Sequence, residues 1–133
     1  MALEGYKSNH NVVYSNKYHC VWTPKYRRAV LVGPIAKRCE QVLRKVAAQF
    51  RAEILALEIM PDQVHCLVEV NPQFGIHRLV KNLKAVSSHT LRQEFGTLRS
   101  RLPTLWTNRS FVSTVGGAPL AVIKQYVEKQ KNV

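Results

Sequence analysis

Acidic residues and long apolar stretches are scarce in this chain. Only 8 of its 133 residues are Asp or Glu, whereas 20 are Lys or Arg, so its formal net charge is +12. Because such an excess repels itself unless a polyanion neutralises it, nucleic acid is favoured as a partner over a merely solvated basic surface. No stretch approaches the roughly 20 apolar residues that a membrane-spanning helix needs. The first residues also lack the apolar run of a secretory signal, so we expect a cytoplasmic protein without a membrane partner.

Cysteine is rare as well, and its spacing argues against two kinds of crosslinked fold. Cys20, Cys39 and Cys66 form no C-x-x-C pair, which argues against a zinc site, and their apolar neighbours argue against disulfide bridges. We expect buried or half-buried, reduced thiols instead. A chain of this length can bury a core without crosslinks, and we interpret residues 1–133 as one domain.

Strand-like and helical patterns alternate along the chain, with no internal repeat. Apolar runs rich in β-branched and aromatic residues predict strands at residues 12–22, 54–59, 64–70 and 111–115. Apolar residues at helical spacing predict helices at 33–50, 76–95 and 119–130, with a loop at 96–103. The order β-α-β-β-α-β-α is typical of an α+β, ferredoxin-like core with an antiparallel sheet, here followed by a C-terminal helix.

Gln63 and His65 form a polar pair at the start of an otherwise apolar strand. They occupy alternate positions, so both side chains project from the same face of the sheet. A histidine at a half-buried strand start is often simply hydrogen-bonded within the fold. Alternatively, one imidazole nitrogen and one amide oxygen are two ligands of a divalent metal ion, with a third from elsewhere. The strand by itself leaves both interpretations open.

Tyr126 and Gln130 form a second polar pair, on the last predicted helix. Four residues separate their positions, so both project from one helix face. A tyrosine on such a helix is more often core than catalyst. Here, however, polar residues surround it, while Val122, Ile123 and Val127 can supply the buried stripe. We therefore expect Tyr126 at the margin of that stripe, with its hydroxyl outward.

Three blocks of sequence resemble a known family. They are residues 18–28 (YHCVWTPKYRR), residues 60–65 (MPDQVH), and residues 105–108 (LWTN) together with 126–130 (YVEKQ). In this order they resemble the single-tyrosine transposases of the HUH nuclease superfamily, from insertion sequences that move as single-stranded DNA. The first and third blocks are long and specific, whereas the second alone is weak.

The resemblance implies a reaction and its residues. Tyr126 matches the family's nucleophile, which cleaves and rejoins single-stranded DNA through a 5′-phosphotyrosine link. His65 matches the second histidine of the His-hydrophobe-His motif that binds Mg2+ or Mn2+, Gln63 falls on the first histidine, and Gln130 matches the third metal ligand. The family's proteins act as homodimers with joined sheets, and they recognise DNA hairpins near the ends of the element.

Gln63 is where the chain departs from the family pattern. A ligand set of Gln63, His65 and Gln130 is entirely neutral, so we expect weaker metal binding than at a two-histidine site. Asp62 is a doubtful substitute, because alternation turns it to the opposite face unless the strand starts after it. Three interpretations stay open: an enzyme that needs much metal, a catalytically lapsed protein that still binds DNA hairpins, and an artificially altered sequence.

Several basic residues are candidate DNA contacts on the ground of charge alone. They are Lys25, Arg27, Arg28, Lys81, Lys84 and Arg92. Trp106 either stacks on a base or belongs to the core, and His19 and His77 are more plausibly packed and exposed, respectively, than phosphate contacts. An RNA-binding module of similar fold is disfavoured because its characteristic aromatic motif is missing.

Overall fold

A four-stranded antiparallel sheet forms the centre of the protein in a computed structural model, which describes residues 6–115 and 120–132. The elements are β1 Lys7–Ser8, β2 Val13–Tyr14, β3 Lys17–Trp22, α1 Gly33–Gln49, β4 Glu53–Met60, β5 Gln63–Glu69, α2 Ile76–Glu94, α3 Gly96–Arg101, β6 Phe111–Thr114 and α4 Leu120–Lys129, with 3-10 turns at Lys25–Arg27 and Gln130–Asn132. The strand order in the sheet is β4-β5-β3-β6, and every neighbouring pair is antiparallel. From β3 to β6 this is the expected ferredoxin-like arrangement, followed by the expected C-terminal helix.

Helices α1 and α2 cover one face of the sheet. Pro34 lies in the first turn of α1, where its missing N–H leaves no hydrogen bond unmade. Both helices bury residues at three- and four-residue spacing, as the sequence predicts, and most of their basic residues face outward, whereas Lys84 of α2 is half-buried. Among the described residues, no helix combines the length and apolar content needed to cross a bilayer.

Alternation along the two central strands separates the core from the opposite face. Cys20 and Trp22 of β3 pack into the main core with Val64 and Cys66 of β5. The intervening Val21 belongs to a second, smaller cluster with Val127 of α4, which Phe111 and Tyr126 join. Helix α4 therefore packs on the face of the sheet that α1 and α2 leave open.

Two local predictions are wrong. Residues 96–103, predicted as a loop, contain the short helix α3, because Leu98 and Leu102 lie four residues apart and both are buried. Residues 12–22, predicted as one strand, are divided between β2 and β3. At the break, the Asn16 side chain donates a hydrogen bond to the Val70 carbonyl oxygen at 2.9 Å.

The three thiols provide a test of this fold. Cys20, Cys39 and Cys66 are buried and unpaired, as the sequence predicts. Burial raises the pKa of Cys39 and Cys66 to about 12 and raises that of Cys20 further. Because the thiolate is the reactive form, we expect thiol reagents at pH 8 to react at least about 100-fold more slowly with native than with urea-unfolded protein. Absorbance with a chromogenic disulfide reagent measures this, and rapid modification of one native thiol would contradict the packing described.

Candidate active site and basic groove

Gln63 and His65 contact each other at the start of β5. The Gln63 amide nitrogen donates to Asp62 Oδ1 at 3.2 Å, so its amide oxygen faces His65. His65 Nε2 lies 2.6 Å from that oxygen. On the other side of the ring, His65 Nδ1 lies 3.4 Å from His19 Nε2. Asp62 is in the turn before β5, where its Oδ1 accepts from the Gln63 amide and its Oδ2 accepts from Arg27 Nε at 2.9 Å.

The surroundings of His65 favour a neutral imidazole. Burial lowers the pKa of His65, and His19 lowers it further, whereas the carboxylates of Glu58 and Asp62 act in the opposite direction. Glu58 lies directly opposite His65 in the pairing of β4 with β5. A neutral imidazole has a free lone pair, which is the form that binds a metal ion.

Tyr126 lies at the margin of the smaller cluster, as its sequence context predicts. Its ring packs on Phe111 with a centroid distance of 5.6 Å, and its hydroxyl donates to the Arg109 carbonyl oxygen at 3.1 Å. Burial raises the pKa of the Tyr126 phenol, although Thr107 and Arg109 act in the opposite direction. The phenol is therefore protonated at neutral pH and needs activation before it can attack phosphorus.

Gln130 is buried immediately after α4. Its side-chain nitrogen donates to the Tyr126 carbonyl oxygen at 3.3 Å. Its side-chain oxygen is buried and has no hydrogen-bond partner among the described residues. Since an unpaired buried acceptor is unfavourable, this oxygen is suited to accept from a donor or to bind a cation.

These four residues, Gln63, His65, Tyr126 and Gln130, constitute the candidate active site, and the structure joins them in two pairs. In the described part of the chain, no hydrogen bond links the β5 pair to Tyr126 or Gln130. The pairs share one sheet face, because Val127 packs on Val21, which lies opposite His65 in the pairing of β3 with β5.

The donor types fit a hard divalent ion such as Mg2+ or Mn2+. An amide oxygen and an imidazole nitrogen meet in the β5 pair, and a second amide oxygen, that of Gln130, is buried without a hydrogen-bond partner among the described residues. Within residues 6–115 and 120–132, no three His, Cys, Asp or Glu side chains form a metal-binding group. The sequence-based ligand set contains only one residue of those types, His65, and its other two members are the glutamines Gln63 and Gln130.

A basic groove of about 930 Å3 lies between α2 and the segment 104–112. Lys81, Lys84 and Arg92 line it, so the structure brings together three of the six predicted DNA contacts. Arg99 and Arg109, which sequence reasoning missed, line it as well. Lys25, Arg27 and Arg28 lie outside this lining, in or next to the 3-10 turn at Lys25–Arg27.

Lys84 connects the groove to Tyr126. Its ammonium group donates to the Thr107 carbonyl at 2.7 Å, to Ser110 Oγ at 2.9 Å and to the Arg109 carbonyl at 3.2 Å. The Arg109 carbonyl is also the acceptor of the Tyr126 hydroxyl. Segment 107–110 is thus both a wall of the groove and the docking point of the tyrosine.

Two other predicted candidates have clear positions. Trp106 belongs to the core, where its indole nitrogen donates to Ser87 Oγ at 3.0 Å and its ring meets Trp22 edge-on. His19 lies beside His65, at a ring-centroid distance of 5.5 Å. His19 and Val21 are two residues apart in β3, so the sequence indicates that they share one face of the sheet. Which residue of β5 lies beside His19 depends on the pairing register of the two strands, which the sequence does not reveal.

The known proteins that are similar to this chain are described as transposases. The family described as "Transposase IS200 like" matches residues 12–130. The ISDra2 transposase TnpA of Deinococcus radiodurans is 36% identical over 126 residues, which is 93% of this chain and 90% of the relative. The transposase for insertion sequence element IS200 of Salmonella typhimurium is 32% identical over 126 residues, with 93% and 82% covered.

Solved structures agree with that similarity. A crystal structure described as a transposase from Deinococcus radiodurans has a TM-score of 0.84 and 36% identity, with 96% of this chain and 99% of the other covered. The REP-associated tyrosine transposase, solved with a REP hairpin, has a TM-score of 0.58 over 92% of this chain and 69% of the other. At 15% identity, the second likeness concerns the fold alone.

The burial of Lys84 predicts a pH dependence of stability. Burial lowers the pKa of Lys84 to about 8, below its value of 10.5 in an unfolded chain. Between these values the unfolded state binds more protons, so this residue makes the protein more stable as pH rises from about 8 to 10. In urea unfolding at pH 7.5 and 9.5, wild type should gain stability relative to Lys84→Met. Lys81→Met, on the exposed side of the same helix, is the control, and equal pH dependence of wild type and Lys84→Met would contradict the prediction.

Proposed function

Since the chain belongs to the IS200-like transposase family, we propose that it cleaves and rejoins single-stranded DNA with Tyr126 as its nucleophile. The observation that carries this proposal is the packing of α4, which puts Tyr126 on the same face of the sheet as Gln63 and His65. A nucleophile and two potential metal ligands on one open face are what the reaction needs.

The proposed step is a transesterification at phosphorus. The Tyr126 oxygen forms a bond to the phosphorus, the bond to the 3′ oxygen breaks, and the 5′ phosphate stays on the tyrosine. The phenol loses its proton to solvent, and the departing 3′ oxygen gains one. Because the new link retains the energy of the phosphodiester, the 3′ hydroxyl of another strand can reverse the step and join DNA without a nucleotide cofactor.

We further propose that Gln63, His65 and Gln130 hold Mg2+ or Mn2+. The proposal is supported by the 2.6 Å contact within the β5 pair and by the buried, unsatisfied oxygen of Gln130 within the described chain. When bound, the ion would supply Lewis-acid stabilisation of the charge that develops on the phosphate. In the metal-free pair His65 Nε2 donates to the Gln63 oxygen, because an amide oxygen only accepts, so the ion would replace this hydrogen bond and the ring proton would move to Nδ1.

The basic groove is the proposed DNA site. The lysines and arginines of the groove can bind the phosphates of DNA. Tyr126 lies next to this basic lining, because its hydroxyl donates to the carbonyl of Arg109 in segment 107–110. We propose that the groove takes the hairpin end of a single-stranded substrate. A protein of the same fold, the REP-associated tyrosine transposase, is bound to a hairpin in its own structure.

We also propose a homodimer formed by joining two sheets. Strands β4 and β6 are the edges of the four-stranded sheet, and the free backbone groups of an edge strand can pair with a second copy. A cytoplasmic location, expected from the sequence, is part of the same proposal.

A second function, hairpin binding without catalysis, is favoured by one contact. Gln63 and His65 satisfy each other's hydrogen-bonding groups at 2.6 Å, so this pair is stable without an ion. A site whose ligands are neutral and already paired attracts Mg2+ weakly. In this alternative the groove still binds DNA, but Tyr126 forms no covalent link.

Covalent capture of DNA separates the two functions. Wild type is incubated with Mn2+ and a hairpin-bearing single-stranded oligonucleotide, selected from a randomised pool by its binding to wild type. We expect a denaturation-resistant adduct that disappears in Tyr126→Phe. It should persist in the control Tyr6→Phe, because Tyr6 is exposed and distant from Tyr126 in the sequence. A denaturing gel measures the adduct.

Gln63→His provides the decisive comparison in the same assay. We expect it to form the adduct at lower Mn2+ concentration than wild type, because imidazole is the stronger ligand. If Gln63→His forms an adduct and wild type forms none at any Mn2+ concentration, the lapsed protein is the correct description. If both bind the oligonucleotide and neither forms an adduct, Tyr126 is not the nucleophile.

The groove predicts a salt dependence of DNA binding. Lys81 and Arg109 are exposed on its walls, so their joint replacement by Gln should weaken binding of the same oligonucleotide. The slope of log affinity against log salt should fall by roughly 0.7 to 0.9 per lost phosphate contact. Lys37→Gln with Lys45→Gln, an equal charge change on α1, is the control. Equal slopes for both double variants in fluorescence anisotropy would place the DNA elsewhere.

A further inference from the structure

A chain of polar contacts connects the tyrosine helix to His65. Glu128 of α4 accepts from Arg27 Nη1 at 3.1 Å, and Arg27 Nε donates to Asp62 Oδ2 at 2.9 Å. The other Asp62 oxygen accepts from the Gln63 amide at 3.2 Å, and the Gln63 oxygen lies 2.6 Å from His65 Nε2. In this series of contacts, Arg27 touches both Glu128 of α4 and Asp62 in the turn before β5.

We propose that Arg27 is a positioning residue that sets the Gln63 amide and docks the Tyr126 helix at the same time. This inference rests on the function proposed for Tyr126 and Gln63. By holding Asp62, Arg27 keeps the Gln63 amide nitrogen engaged and its oxygen, the atom that can bind a cation, turned toward His65. By holding Glu128, it keeps α4 over the open face of the sheet.

The two ion pairs of Arg27 differ in strength; we call its pair with Asp62 the Asp62 arm and its pair with Glu128 the Glu128 arm. The side chains of Arg27 and Asp62 are only 21% and 24% exposed, whereas that of Glu128 is 63% exposed and also pairs with Lys131. Exposed ion pairs contribute less than partly buried ones, so the Asp62 arm is the stronger and the Glu128 arm the weaker of the two. A guanidinium suits this position because its planar fork can donate to two carboxylates at once, which a lysine ammonium group does poorly.

The backbone around Arg27 has an unusual conformation that hydrogen bonds on both sides hold in place. Tyr26 and Arg27 both have left-handed backbone angles, with φ of 59° and 50°. Such angles are unfavourable for residues other than glycine and persist where the surroundings hold them. Here Lys25 N donates to the Leu105 carbonyl at 2.8 Å, and Leu31 N donates to the Pro61 carbonyl at 3.0 Å. The segment is thus anchored on both sides, one of them the turn that carries Asp62.

This position distinguishes Arg27 from the other predicted DNA contacts. Its charge is already compensated by two carboxylates, whereas Arg28 and Lys81 are exposed. A phosphate contact by Arg27 would have to compete with Asp62. The two roles therefore give different results when Arg27 is replaced.

The test uses Arg27→Gln, Arg27→Lys and a matched control, Arg38→Gln. Arg38 also donates through its fork to a carboxylate, that of Glu94 at 2.9 and 3.1 Å, but it joins α1 to α2 away from the candidate active site. Three properties are measured: NMR signals of the Gln63 amide and the His65 ring nitrogens in DNA-free protein, Mn2+ affinity by electron paramagnetic resonance, and the rate of adduct formation with the selected oligonucleotide.

We expect Arg27→Gln to shift the Gln63 and His65 signals and to weaken Mn2+ binding and adduct formation about 10- to 100-fold, the usual range for residues that orient metal ligands. Oligonucleotide affinity should stay within about threefold of wild type, because Arg27 binds Asp62 and Glu128 and its replacement removes no phosphate contact. Arg27→Lys should recover only part of the loss, and Arg38→Gln should behave as wild type. Unchanged NMR signals, or a loss confined to oligonucleotide affinity and its salt slope, would overturn the proposal.

A second variant and the NMR signals test the role of Arg27 if Arg27→Gln does not fold or if wild type forms no adduct. If Arg27→Gln does not fold, Glu128→Gln breaks the exposed arm alone: it should slow adduct formation and leave Mn2+ affinity and the His65 signals unchanged, and an unchanged adduct rate would overturn the docking role. If wild type forms no adduct, the proposed catalysis fails. The NMR signals of Arg27→Gln in DNA-free protein then still decide whether Arg27 orients Gln63.

Discussion

The antiparallel pairing of β3 with β5 is the constraint on which the rest of the molecule depends. Its register places Cys20 opposite Cys66 and Val21 opposite His65. The first pair belongs to the main core under α1 and α2, and the second lies on the opposite face. Shifting this register by one residue would turn His65 into the core and a thiol onto the open face. The large apolar core on one side therefore fixes the position of the polar pair on the other.

Two connecting segments hold the tyrosine helix at the candidate active site, and one of them, residues 107–110, also forms a wall of the basic groove. Residues 107–110 accept hydrogen bonds from Lys84 on the groove side and from Tyr126 on the other. The turn at Lys25–Arg27 joins the loop before β5 to α4 through Arg27. In a chain with a net charge of +12, the acidic Asp62 and Glu128 gain importance because they hold α4 and the Gln63 amide in place. The few acidic residues near the candidate active site orient other groups.

Most of the fold could be predicted from the sequence, since strong periodicity decides local structure. Helix α1 and helix α2 lie within a residue of their predicted ends, because apolar residues at helical spacing need one buried face. Helix α3 was not predicted because its apolar signal consists of only Leu98 and Leu102, in a stretch that also contains two arginines. The interruption between β2 and β3 depends on Asn16, whose partner, the Val70 carbonyl, is 54 residues away. Contacts so distant leave no local pattern.

The sequence by itself determined the chemical inventory: the basic charge, the ferredoxin-like order of elements, the shared face of Gln63 and His65, and the family to which the blocks around Tyr126 belong. These properties depend on residue type and short-range spacing, which periodicity and motifs express directly. Only the tertiary structure decided that His19 adjoins His65, that the Arg109 carbonyl receives the Tyr126 hydroxyl, and that Arg27 bridges Asp62 and Glu128. Each of these contacts joins elements far apart along the chain, and their geometry is set by strand register and helix packing, which hydrophobic burial fixes cooperatively.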